Sequence, residues 1–228
     1  VMAAGTSSIT EASPFVTRTS VTLPQVAVGM AEWSHKNGIK KVVTVVADYG
    51  PGIDAETAFK SEFGKQGGTV VESIRMPIAT TDFSPFVQRI KASGAQAVYT
   101  FLPGGPPNLG FVKAYNENGV AKAGIRFLGT AETDEYDLQK FGDAALGLTT
   151  AYHYSGAHDS PANKKFVAAL AAKNPQAVAN YASVGAWDGM YVIHKMIEAT
   201  GGQRDGLKAV GAVRGMKWES PRGPVHID

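Results

Sequence analysis

Two apolar textures alternate along the middle of the chain. Lys40 and Lys41 introduce Val42-Val43-Thr44-Val45-Val46-Ala47, a β-branched run without polar alternation. A strand covered on one face would alternate, so this run predicts a strand buried on both faces of a parallel sheet. Asp48-Tyr49-Gly50-Pro51-Gly52 breaks it. From Ile53 to Gln66, Ala55, Phe59 and Phe63 recur at i, i+4 and i+8, one face of a helix that Gly67-Gly68 ends through a left-handed turn. The unit then repeats. Thr69 to Met76 predicts a strand, Phe83, Phe86, Val87 and Ile90 one face of a helix, and Ala95 to Leu102 a strand. Pro106 to Asn118 predicts a helix, Ile125 to Leu128 a strand and Asp134 to Phe141 a helix, while Val26, Met30 and Trp33 mark an opening helix over Pro24 to Lys36.

Strands alternating with helices imply right-handed crossovers and an open parallel sheet over residues from about 20 to 145. After Leu146 the texture changes. Gly147 to Tyr154 reads as extended, and three helical segments follow with almost no strand between them. Pro161 to Lys173 carries Phe166, Val167 and Leu170, and Tyr181 to Ala199 carries Val184, Trp187, Tyr191 and His194, the last read as a packed core histidine. The earlier helices already cover the sheet that can be assigned. The later ones are therefore expected to belong to a second lobe whose strands lie upstream of Val1, with Val184, Trp187 and Tyr191 facing what that lobe supplies. Val1 itself reads as the end of a strand, and Ser220 to Asp228 as a turn and a strand.

Composition narrows the partners. At 228 residues and 44% hydrophobic, the chain is long enough to bury about 70–75% of its unfolded surface. Lys+Arg 22 against Asp+Glu 20 leaves +2, so nucleic acid is not an expected partner. The absence of cysteine removes disulfides, thiolate zinc sites and cysteine nucleophiles together, and fits an oxidising compartment and the cytoplasm alike. The longest charge-free stretch, Ala92 to Val112, is interrupted by Gly94, Pro103, Gly104, Gly105, Pro106, Pro107 and Gly110, which is not the texture of a bilayer-spanning helix.

Two turns could carry chemistry. Gly50-Pro51-Gly52-Ile53-Asp54-Ala55 satisfies G-x-G-x-x-A between a strand and a helix, with Glu72 about twenty residues on, so a Rossmann-type dinucleotide-binding enzyme is one reading. Against it, Asp48 and Tyr49 separate strand from glycine and Glu72 falls inside the second strand. Tyr49, at the carboxyl end of a strand, sits where α/β sheets bind ligands. Gly5-Thr6-Ser7-Ser8 offers hydroxyls and backbone N–H groups, either as an anion cradle or as an ordinary helix cap. His153, His158 and Asp159 lack a third imidazole or thiolate nearby, so no metal site is expected. G-x-S-x-G, H-E-x-x-H and Walker A patterns are absent, and neither catalysis nor a cofactor is expected outside the dinucleotide reading.

Met2-Ala3-Ala4-Gly5-Thr6, Phe15-Val16-Thr17-Arg18-Thr19, Asp48-Tyr49-Gly50-Pro51-Gly52 and Thr81-Asp82-Phe83-Ser84-Pro85 resemble, in this order, the leucine/isoleucine/valine-type solute-binding proteins of ABC transporters. Gly142-Asp143-Ala144-Ala145-Leu146-Gly147, Ala186-Trp187-Asp188-Gly189 and Ser220-Pro221-Arg222-Gly223-Pro224-Val225 continue the resemblance. It implies a type I periplasmic binding protein: an α/β fold of two αβα lobes, each with a parallel sheet, joined by three crossing strands and closing on a solute in an interlobe cleft. The crossings would fall near Thr17 to Thr19, Gly147 to Ala151 and Gly223 to Val225. One lobe, here incomplete, would comprise residues 1–18 and 150–222, the other residues 19–149 and 223–228.

The resemblance also implies an extracytoplasmic protein, free in the periplasm or membrane-anchored, partnered by a small carboxylate solute and the membrane permease of an ABC importer. A ligand-sensing domain of the same fold is the alternative within this resemblance. Ala4 and Thr6 match the positions that hold the solute's carboxylate or ammonium, Gly5 between them would offer a backbone group to the carboxylate, and Tyr49 matches a tyrosine that reaches the solute from the other lobe. The acidic partner of an ammonium falls at Ala131 or Glu132, and Pro103-Gly104-Gly105-Pro106 replaces an aromatic loop. Both departures turn the expectation from branched-chain amino acids toward aromatic or other organic acids.

Overall fold

The computed structural model describes residues 1–130 and 134–228 and divides into two compact units, residues 23–152 and residues 1–22 with 153–228. In the first of these, β1 (Lys41–Ala47), β2 (Thr69–Met76), β3 (Ala97–Phe101), β4 (Arg126–Gly129) and β5 (Thr149–Thr150) form one sheet in the order β2-β1-β3-β4-β5. Every pairing is parallel, as the crossover helices require.

The unalternating valine run has a direct cause. Val43, Val45 and Ala47 enter a core with Val87, Ile90, Phe111, Val112 and Phe141, from α3 (Ser84–Ala92), α4 (Pro106–Glu117) and α5 (Glu135–Phe141). Val42 and Val46 enter the core on the opposite face with Leu23, Ala27, Met30, Phe59 and Phe63, from α1 (Leu23–Lys36) and α2 (Gly50–Lys65). All four valines have no exposed surface, and burying each contributes on the order of 1.5–3 kcal/mol. Thr44, the one polar residue in the run, donates to the buried Glu56 carboxylate, which also pairs with Arg75 on β2. For α1 to α5 and β1 to β4, predicted and observed boundaries agree to within three residues, and Gly67, at φ +79°, ends α2 as expected.

The other unit holds, among its described residues, α6 (Pro161–Lys173), α7 (Tyr181–Thr200), α8 (Gly206–Val213) and a hairpin of β6 (Lys217–Ser220) and β7 (Gly223–His226). Several expectations change here. Residues 223–228, assigned from the sequence to the lobe of 19–149, pair antiparallel with β6 and group with residues 1–22 and 153–228. The unit boundaries fall at 22/23 and 152/153 instead of 18/19 and 149/150. Val184 is fully buried in a small core with Tyr154 and Phe166, so it needs no outside cover, whereas Trp187 and Tyr191 are about 40% exposed. His194 is exposed and not a core histidine, because the buried stripe of α7 is Val184, Gly185, Asp188, Gly189 and Val192. Val1 lies outside any strand, although its carbonyl accepts from the Thr19 N–H at 2.9 Å.

Candidate functional site

The segment 1–7 is stitched to 17–20 by backbone and side-chain bonds. The Val1 nitrogen donates to the Thr17 carbonyl at 2.7 Å, and Met2 lies so close to α7 that a Cβ on Gly185 would sit 2.0 Å from its carbonyl oxygen. Gly185 is thus the residue that lets segment and helix touch. Arg18 then fixes the turn: Nη1 donates to the Ala4 carbonyl and Nη2 to the Thr6 carbonyl, both at 2.5 Å, with Ser7 O a third acceptor at 3.5 Å. The Ser20 hydroxyl donates to the same Ala4 carbonyl at 2.7 Å.

This arrangement polarises the turn. In a trans peptide the N–H points opposite to the C=O of the same unit, so carbonyls aimed at Arg18 aim the Gly5 and Ser7 N–H groups the other way. The helix expected after Thr6 is a four-residue 3-10 turn, Ser7–Thr10, and the Thr6 hydroxyl makes no cap bond to it. A cap therefore does not account for Thr6. What the turn presents is the Gly5 N–H and the Thr6 hydroxyl, backed by a guanidinium, an environment suited to a carboxylate.

In the unit 23–152, Tyr49 and the loop after β3 flank the point where the sheet order reverses. β1 connects to β2 on one side, and β3 lies on its other side, with Val46 opposite Phe101. Ligands of open α/β sheets bind at such switch points, beyond the carboxyl ends of the strands. Tyr49 is half-buried and stacks on Phe101 with ring centroids 6.2 Å apart. Pro103 and Gly104 follow directly, Gly104 being exposed. A cavity of about 370 Å³ lies next to this loop, lined by Gly105, Pro106, Leu109, Gly110, Lys113, Asp137, Lys140 and Phe141. Lys140 is paired with Asp137 at 2.6 Å and Lys113 with Glu117 at 3.7 Å, so the lysines bring little unpaired charge to it.

The glycine pattern has a packing explanation. A Cβ on Gly52 would sit 1.9 Å from the Ala47 carbonyl oxygen, so glycine is required for α2 to pack against the end of β1. Glu72 accepts from Arg89 at 2.5 and 3.0 Å within β2 and is engaged there, away from any strand end. Ala131 and Glu132 lie outside the described residues. Among the described residues no group of three or more His, Cys, Asp or Glu is placed to hold a metal, and no helix is long and apolar enough to cross a membrane.

Sequence reasoning passed over one buried cluster. Asp188 of α7, its side chain 1% exposed, accepts from Arg222 Nε at 3.1 Å and Nη2 at 2.5 Å, from Ser220 Oγ at 2.8 Å and from Trp218 Nε1 at 3.1 Å. Arg222 also donates to the Thr19 carbonyl and approaches His153 Nδ1 at 2.9 Å. Burial first, and the Arg222 charge second, push the His153 pKa down to about 3, so the ring is neutral and Nδ1 accepts. The only sequence signal was the presence of Asp188 and Arg222 inside two of the motifs that carry the resemblance.

Comparison with known proteins shows the family. The periplasmic binding protein family model matches residues 1–228. A Leu/Ile/Val-binding protein homolog of Brucella melitensis is 57% identical over 231 residues, covering all of this chain and 59% of the relative. An ABC transporter solute-binding protein of R. palustris, solved in complex with 4-hydroxybenzoate, is 54% identical with a TM-score of 0.94, over 99% of this chain and 62% of that one. One from Rhodopseudomonas palustris HaA2, in complex with p-hydroxybenzoic acid, is 53% identical with a TM-score of 0.96, over 100% and 62%. The chain thus spans about three-fifths of the length of these relatives.

Proposed function

Because the chain belongs to the periplasmic binding protein family, we propose that it is the solute-binding part of an ABC importer and captures an aromatic carboxylate outside the cytoplasm. The observation that carries the choice of solute is the Ala4–Ser7 turn, whose carbonyls are taken by Arg18 and whose opposite side offers the Gly5 N–H and the Thr6 hydroxyl. A carboxylate uses all of these donors. Gly5 and Thr6 hold it, Tyr49 offers an aromatic surface to a ring, and Pro103 and Gly104 leave room where a bulkier loop would not. An acid without an ammonium needs no counter-charge at Ala131 or Glu132. The two R. palustris proteins, at 53 and 54% identity, hold hydroxybenzoates, which supports the aromatic acid over the branched-chain amino acid in the Brucella relative's name. The permease of the importer is the protein partner, and the solute leaves chemically unchanged.

Calorimetric titration of the full chain with 4-hydroxybenzoate, benzoate and L-leucine tests this reading. A hydrogen bond to a charged group contributes about 1.5–3 kcal/mol, so Thr6→Val is expected to weaken both aromatic acids by roughly tenfold to a hundredfold. Tyr49→Ala is expected to cost at least as much, and Glu132→Gln little. Unchanged affinity in the first two variants overturns the site. Leucine binding more tightly than either acid overturns the solute class, and turnover of NAD overturns the binding-protein reading.

A further inference from the structure

We propose that Ser20 is a specificity-determining residue that closes the Ala4 carbonyl to an ammonium group, so that the site prefers an acid to the corresponding amino acid. The proposal rests on the reading that the Ala4–Ser7 turn binds the solute's carboxylate. A backbone carbonyl oxygen has two lone pairs. At Ala4 one is used by Arg18 Nη1 at 2.5 Å and the other by Ser20 Oγ at 2.7 Å. An α-ammonium beside the carboxylate would look for a carbonyl of this turn, and at Ala4 it would have to displace a donor first.

The two donors differ in what displacement costs. Arg18 is held by three carbonyls at once, those of Ala4, Thr6 and Ser7, so moving it unmakes the turn. Ser20 has one hydroxyl proton and spends it on this bond. Its side chain therefore decides whether Ala4 has an acceptor to offer. An ammonium arriving there must break the Ser20 bond and also meet the Arg18 charge, whereas a plain carboxylate meets neither obstacle. Ser20 acts on the solute through the Ala4 carbonyl and need not touch it.

The test uses phenylacetate and L-phenylglycine, which differ by the α-ammonium, with benzoate as reference, titrated into the full chain as wild type, Ser20→Ala and Ser20→Thr. Ser20→Ala is expected to narrow the preference for phenylacetate over L-phenylglycine by roughly tenfold, the size of one hydrogen bond to a charged group, mostly through tighter L-phenylglycine binding. Ser20→Thr, which keeps the hydroxyl, is expected to keep the wild-type preference. A merely structural role would lower all three affinities together and leave their ratios alone. Benzoate bound as in wild type with the ratio unchanged in Ser20→Ala overturns the role of Ser20 and leaves the carboxylate site standing. Loss of benzoate binding by a Ser20→Ala protein of unchanged Tm also overturns it, by making Ser20 a support of the turn. Wild-type protein that binds neither benzoate nor phenylacetate overturns the site reading and this proposal with it.

Discussion

Replacing Asp188 by Asn keeps the volume of the side chain but leaves the Arg222 guanidinium, 8% exposed, without its counter-charge. Removing one partner of a buried ion pair costs about 3–5 kcal/mol, because the remaining charge stays desolvated. Arg222 would still donate to the Thr19 carbonyl and to His153 Nδ1, and Asn can still accept from Trp218 or Ser220. The surviving hydrogen bonds place the expected loss toward the lower end, about 3 kcal/mol. With a urea m-value of about 2 kcal/mol/M, the unfolding midpoint should fall by roughly 1.5 M at unchanged m. The double variant Asp188→Asn with Arg222→Met removes the stranded charge and should be less destabilised than the sum of the two single variants. A loss below about 1 kcal/mol for Asp188→Asn, or strict additivity in the cycle, refutes the argument that the pair is energetically coupled.

Two further outcomes follow from the same geometry. An unfolded histidine protonates near 6.5 and native His153 only near 3, so stability is fully present above about pH 6.5 and declines as pH falls toward 3. The whole window amounts to at most about 5 kcal/mol, roughly half of that once solvent screening at a partly exposed ring is counted. Urea unfolding between pH 7 and 4 should show His153→Asn flattening this decline, and a profile superposable on wild type refutes the buried neutral ring. Gly52→Ala should cost about 2–3 kcal/mol through the clash with the Ala47 carbonyl, a change read as a lower Tm, whereas an unaltered Tm would mean that α2 is not pressed against β1.

The parallel sheet was legible because its signal is local and repeated. A run such as Val42 to Val46 is apolar on both faces only if both faces are covered, and the helices that cover them lie on either side of it in the chain, each with its own apolar periodicity. The hairpin at the C-terminal end was only half legible. Ser220 to Asp228 reads as a turn and a strand, but its partner β6 holds four residues, two of them charged, too short and polar for a periodic signal. His194 went wrong for a related reason. On a helix whose buried stripe includes Gly185, Asp188 and Gly189, apolar spacing alone points to the wrong face, because the stripe is set by contact with Met2 and by the Asp188 ion pair.

The glycines of residues 50–55 show why a site is harder to read than a fold. G-x-G-x-x-A fits a pyrophosphate turn, yet the spacing records only that a helix start approaches backbone closely, and here that backbone is Ala47 and not a ligand. What separates the two cases is a partner that the motif does not contain. The same holds at the other turn, where Ala4, Gly5 and Thr6 were singled out but their chemistry is decided by Arg18 and Ser20, twelve to sixteen residues away. A carbonyl named as a binding group on resemblance alone becomes unable to take an ammonium once both of its lone pairs are engaged. On the proposed carboxylate site, specificity then lies with a residue that supports the turn, and substitution of Ser20 is expected to distinguish acid from amino-acid binding more sharply than substitution of Ala4 itself.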